Sequence, residues 1–257
     1  DRTPSREGTL AEAIRLTAEA KRRFTPEDIQ RRARAVLDMA VRAGTTAMRG
    51  HVEVDPAVGL MGLEAVLPLK AEYAPALDLQ VCAFAQEGLC NLPGEEELLA
   101  QALRRGADVV GGCPYTDTDP LGQIAAIFRL AKEFDVDADF HVDFFDEPDH
   151  LHVQAIAERT RTAGWQGRVA VGHVTELAAL PPERQDALAA ALCEAGVELV
   201  VLPATDLYLM GRRDVRNVRR GLAPVKRLLA AGVAVAASSN NVQNAFTPVG
   251  NASLPLM

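Results

Sequence analysis

Two hydrophobic patterns alternate along this chain. One places apolar residues three to four positions apart, the spacing of a helix buried on one side. The other packs them into short continuous runs, as in strands covered on both faces. Helical periodicity covers residues 9–23, 26–43, 58–73, 95–105, 121–134, 150–163, 176–195 and 223–231. Extended apolar stretches occupy residues 45–54, 77–83, 108–111, 137–142, 168–171, 197–202 and 233–237. The punctuation agrees. Pro26 follows Thr25 as a first-turn proline follows its cap, and Gly44 and Gly106 stand where helix-ending glycines belong. The helix over 176–195 is interrupted near Leu180-Pro181-Pro182, and a long loop follows the strand that ends at 202.

Short buried strands separated by helices predict an α/β fold with a parallel sheet, built from seven βα-like units. An open doubly wound sheet and a (β/α)8 barrel both suit that rhythm. No GxGxxG follows the first strand, which argues against the dinucleotide-binding version. Polar residues gather just past the strands, at His51, Gln86, His141, His173, Thr205 and Asn240. A barrel aims its strand ends at one rim, so the reading is a TIM-type barrel forming a single domain over residues 1–257. A complete barrel needs one more strand before Thr9 and a last helix after Met257, and residues 1–257 supply neither.

Composition narrows the function classes. Lys and Arg number 27 against 35 Asp and Glu, a formal charge of −8, so no basic field invites nucleic acid or an anionic membrane. No apolar run approaches the roughly 20 residues of a membrane span. The first residues show no apolar leader and no initiator Met, which reads as a chain that is processed, trimmed or part of a longer one. Cys82, Cys90, Cys113 and Cys193 are too widely spaced for a zinc knuckle, and they fit a reducing, cytoplasmic setting.

The histidines carry most of the candidate chemistry. His141 and His173 each end one of two consecutive strands, which sets two imidazoles side by side at one rim. That is half of a metal site, an acid–base pair, or two hydrogen-bonded rim histidines of no special role. Strand parity predicts that Asp143 points with His141. His150 and His152 share the HxH spacing of a metal site but follow an acidic loop at a helix start, where Asp149 is a fair cap. His51 lines a pocket or merely ends its strand, and Gln86 offers a donor and an acceptor suited to an amide edge. Asn240 closes the last strand. The arginines at 212, 213, 216, 219 and 220 form an anion clamp or a solvated loop.

Taken in order, these pieces resemble the cytosine deaminase branch of the amidohydrolase superfamily, which includes the N-isopropylammelide amidohydrolase group. The matching stretches are Gly8-Thr9-Leu10, His51-Val52-Glu53-Val54-Asp55, Phe84-Ala85-Gln86-Glu87-Gly88 and Gly106-Ala107-Asp108-Val109-Val110-Gly111. They continue through His141-Val142-Asp143, Gly172-His173, Leu209-Met210-Gly211-Arg212, Arg219-Arg220-Gly221, Asn241-Val242 and Thr247-Pro248-Val249-Gly250. The resemblance implies a (β/α)8 barrel with one divalent metal, zinc or iron, that activates water against a ring carbon bearing nitrogen. It implies that His141 is a metal ligand, that His173 orients the water or substrate, and that Gln86 binds the substrate's amide edge. It also implies a small nitrogenous ring as substrate and a homo-oligomer as the assembly.

The sequence departs from the family at three places. The family's HxH on the first strand would fall before Asp1. Phe144 stands where the family has its acid–base glutamate, and Asn240 where it has an aspartate ligand. Asn240 is therefore a weak ligand candidate, and Asp143 or Asp146 the substitute for proton transfer. Three readings follow: a metal-dependent hydrolase of a C–N bond, an altered or inactive relative that binds a small ligand or serves as a subunit, and a partial barrel without activity of its own.

Overall fold

The computed structural model describes residues 5–149 and 151–256. Helices α1 (Leu10–Lys21) and α2 (Pro26–Arg42) come first, and strands then alternate with helices. The sequence is β1 (Ala47–Glu53), α3 (Met61–Tyr73), β2 (Asp78–Ala85), α4 (Glu95–Arg104), β3 (Val109–Gly112), α5 (Pro120–Phe134), β4 (Asp137–Val142) and α6 (His152–Ala163). It continues with β5 (Val169–His173), α7 (Pro182–Glu194), β6 (Val197–Val201), α8 (Pro203–Leu209), α9 (Val225–Ala230) and β7 (Val235–Ala237). Among the described residues, no helix is long and apolar enough to cross a membrane.

All seven strands pair in parallel and in chain order, β1 through β7. A doubly wound sheet reverses its strand order at a switch point, and this one never does. The sheet also curls. Arg49 on β1 donates to Asp139 on β4 at 2.8 Å, although strands three places apart in a flat sheet lie about 14 Å from each other. The fold is thus the α/β barrel type, with seven of eight strand positions filled by the described residues.

Local chemistry explains the elements. Thr25 Oγ1 accepts from the Asp28 amide at 3.2 Å with Pro26 in the first turn, and Thr9 caps α1 in the same way. Gly111 lets β3 and β4 approach: a Cβ there would lie 2.0 Å from the Asp139 carbonyl oxygen. The core joins the outer faces of the strands to the helices through Leu69, Leu99, Ile127, Phe140, Ile156 and Leu192. A smaller apolar group, with Leu10 and Ala13 of α1 against Phe144, Leu209, Met210 and Phe246, covers the rim where the strands end. Where the sequence pattern predicts an unbroken loop after β6, Pro203 starts the short helix α8.

Candidate active site at the strand ends

The C-terminal strand ends carry unusual backbone. Asp143, His173, Val174 and Asn240 all adopt left-handed φ, at 49°, 72°, 51° and 56°. Non-glycine residues are strained in that conformation and concentrate where a site demands it. Here β4 and β5 end directly before or in such residues, and Asn240 lies three residues past the end of β7.

Parity then selects the inward groups. On β4, Asp139 and His141 share a face two residues apart. On β1, Arg49, His51 and Glu53 do the same. The His51 ring lies 4.8 Å from the His141 ring, and His51 Nε2 is 3.3 Å from Asp139 Oδ1. The other Asp139 oxygen accepts from Arg49. Burial alone would raise the Asp139 carboxyl, but His51, His141 and Arg49 around it hold it well below the usual carboxylate range. Burial, and after it His51 and His173, push His141 far below the ordinary imidazole value. Neutral His141 and ionised Asp139 are the forms a metal requires. The ligand atoms of His51, Asp139 and His141 lie within 4.8 Å of one another, so this trio fits a metal ion.

His173 stands beside them, its ring edge-on to His141 at 4.9 Å. Its Nδ1 meets Asp206 Oδ1 of α8 at 2.7 Å, and both side chains are buried. Burial, then His51, lowers His173 to about 3, while burial raises Asp206 to about 8. Asn240 Nδ2 lies 3.3 Å from His173 Nε2, so its amide reaches the same histidine. Phe144 stacks on the His173 ring with centroids 3.7 Å apart. Gln86, just past β2, rests its amide against the Cys113 thiol and the Tyr115 hydroxyl.

Asp143 does not share the rim with His141. Its left-handed φ turns the chain out of the strand, and its two oxygens accept from the His152 and Val153 amides at 2.7 and 2.9 Å. Asp143, and not Asp149, thereby caps α6, whose flanking Leu151 makes no side-chain cap bond. His152 is the first residue of that helix, with Nδ1 3.5 Å from Asp143 Oδ1, and His150 lies outside the described residues. Asp146 is also engaged, accepting from the Gly211 amide at 2.8 Å. Of the arginines, Arg219 binds Asp214, Glu147 and the Asp146 carbonyl, clipping its loop together.

Sequence reasoning misses Arg49, Asp139 and Asp206. Parity holds the first two, each two residues before a candidate histidine. Asp206 carries no such sign, because its helix falls where the sequence pattern marks a loop.

Comparisons with known proteins place the chain in a family. Residues 3–252 match the Amidohydrolase family. N-isopropylammelide isopropyl amidohydrolase of Pseudomonas sp. (strain ADP) is 32% identical over 232 residues, 90% of this chain and 54% of that protein. Pterin deaminase of Rhizobium rhizogenes (strain K84 / ATCC BAA-868) is 27% identical over 246 residues, 93% of this chain and 55% of that protein. The chain thus spans about half the length of the curated relatives it matches. The crystal structure of 5-methylcytosine deaminase from Klebsiella pneumoniae liganded with 5-fluorocytosine superposes with a TM-score of 0.93 at 31% identity, over 98% of this chain and 61% of that one. With a family match over nearly its whole length and relatives at this identity, the chain belongs to the Amidohydrolase family, in its cytosine deaminase-like branch.

Proposed function

We propose that this barrel hydrolyses a C–N bond of a small nitrogen-containing ring, by deamination or amide hydrolysis, with one divalent metal, zinc or iron. The observation that carries the reading is the inward cluster of His51, Asp139 and His141 beside His173 at the strand ends. His141 would hold the metal, with His51 and Asp139 as the groups nearest to it. When bound, such a metal supplies an activated water and stabilises developing negative charge. His173, fixed through one nitrogen by Asp206, keeps its other nitrogen for a proton of the water or the ring. Asn240 steers that second nitrogen as a hydrogen-bonding neighbour or serves as a weak ligand. Gln86 reads the amide-like edge of the ring. Asp143 supports this constellation by capping α6 from the end of β4, its carboxylate being engaged by backbone. Cytoplasmic residence and a homo-oligomeric assembly complete the proposal.

A second reading rests on Phe144. The phenyl ring occupies the face of His173 and cannot carry a proton, which favours a relative that binds a nitrogenous ring without turning it over. Ammonia and amine release from a panel of pyrimidines, triazines, pterins and creatinine-like rings separates the two. The hydrolase reading expects release from one ring class that stops on metal chelation and returns with zinc or iron. Saturable binding of a ring with no release by the metal-loaded protein would establish the second reading instead.

A further inference from the structure

The turn that follows β3 holds Gln86 by its backbone and by its side chain. Residues Pro114–Thr116 form a single turn of 3-10 helix there. The Thr116 hydroxyl lies 2.9 Å from the Gln86 backbone carbonyl and 2.8 Å from that of Cys113, and it shares its proton between them. The residue after β2 is thereby tied to the residue after β3.

The side-chain contact has a direction. Burial pushes the Cys113 thiol and the Tyr115 hydroxyl well above their ordinary values, so both keep their protons. The Gln86 amide acts against that shift on each of them, as a donor to the sulfur and to the oxygen does. Its NH2 end therefore faces the pair. Cys113 Sγ in turn donates to Tyr115 Oη at 3.5 Å, which closes a network of three side chains.

The Tyr115 ring is fixed independently of its hydroxyl. It meets Phe145 edge-on at 5.6 Å and lies 6.4 Å from Phe144, whose ring covers His173. It packs both against the apolar group over the rim and against the Cys82, Phe84, Val109 and Cys113 group. Two side-chain torsions set a tyrosine ring, so these contacts give its hydroxyl one position. A glutamine amide, by contrast, turns about its last torsion unless one end is engaged. With the NH2 end held, Oε1 is the end left for a ligand.

We propose that Tyr115, assisted by Cys113, is a positioning residue: it holds the Gln86 NH2 so that the carbonyl oxygen accepts from an N–H of the substrate ring. The inference rests on the reading of Gln86 as the group at the ring's edge. Tyr115 acts through Gln86 rather than on the ring.

Tyr115→Phe removes only the hydroxyl and keeps the ring packing. Nitrogen-15 spectra of the whole chain report on the Gln86 side-chain NH2 without any substrate, its signals being assigned by their loss in Gln86→Met. Tyr115→Phe should speed the exchange of these hydrogens with water by roughly fivefold, the worth of one neutral hydrogen bond. Cys113→Ala should shift the same signals in the same direction, which decides the matter if Tyr115→Phe does not fold by circular dichroism. On a ring that the chain turns over, Tyr115→Phe should raise KM about fivefold and hold kcat within about a factor of two. Unchanged exchange of the Gln86 amide in a folded variant, or a fall in kcat at constant KM, would overturn the proposal. Failure to bind any ring would overturn the acceptor role together with the hydrolase reading, whereas the amide signals need no ring and separate the two failures.

Discussion

His173 is held from three directions, by Asp206 at one nitrogen, Asn240 at the other and the Phe144 ring against its face. Asp206 has a measurable consequence. Its folded-state value near 8 lies above that of an unfolded aspartate, so the native state keeps a proton that the unfolded chain has lost. That contribution is full at low pH and is lost as pH rises toward about 8. His173, lowered to about 3, acts oppositely, weakening the fold as pH falls from roughly 6.5 toward 3. Between about 6.5 and 8 Asp206 acts without that opposition, with a slope of up to about 1.4 kcal/mol per pH unit. Urea unfolding of Asp206→Asn across that window should therefore show a shallower loss of stability than the unaltered chain. An identical slope would mean that Asp206 is ionised in the fold. Residue-scale chemistry is half legible in the sequence. His141 and His173 announce themselves at the ends of apolar strands and His51 near the end of β1, whereas Asp206 depends on a three-dimensional return of the chain after β6.

At the scale of elements, alternating patterns are enough to find all seven strands and the major helices, because burial on one or both faces leaves a period in the sequence. What periodicity does not encode is where a strand stops obeying its own parity. Asp143 follows β4 directly, yet its left-handed φ redirects it from the rim to the start of α6. Asp149, nearer in sequence, is the natural cap on local grounds, and a tertiary contact replaces it. Asp143→Ala should therefore cost about 1–2 kcal/mol through the lost cap, read by chemical denaturation. Asp143→Asn, which keeps an acceptor, should leave turnover on a hydrolysed ring within about a factor of two. A loss of turnover with an intact fold would put the carboxylate back into proton transfer.

For the whole molecule, strand order is the decisive fact. Seven parallel strands in unbroken sequence curl until β1 and β4 share the interior, and that curling unites residues from distant parts of the chain. The barrel class is legible because polar residues sit after nearly every strand. The ligand set is less so: Asn240 and His141 are the pair that the sequence suggests, while the structure sets His51 and Asp139 nearest to His141 and leaves Asn240 beside His173. Everything proposed for the reaction depends on that inward cluster holding a metal. Elemental analysis of the protein purified without added metal measures it directly, beside a His141→Ala variant of verified fold. About one equivalent of zinc or iron per chain, lost in the variant, is the expected result. Absence of metal from the unaltered protein even after reconstitution, or full occupancy in His141→Ala, would contradict it.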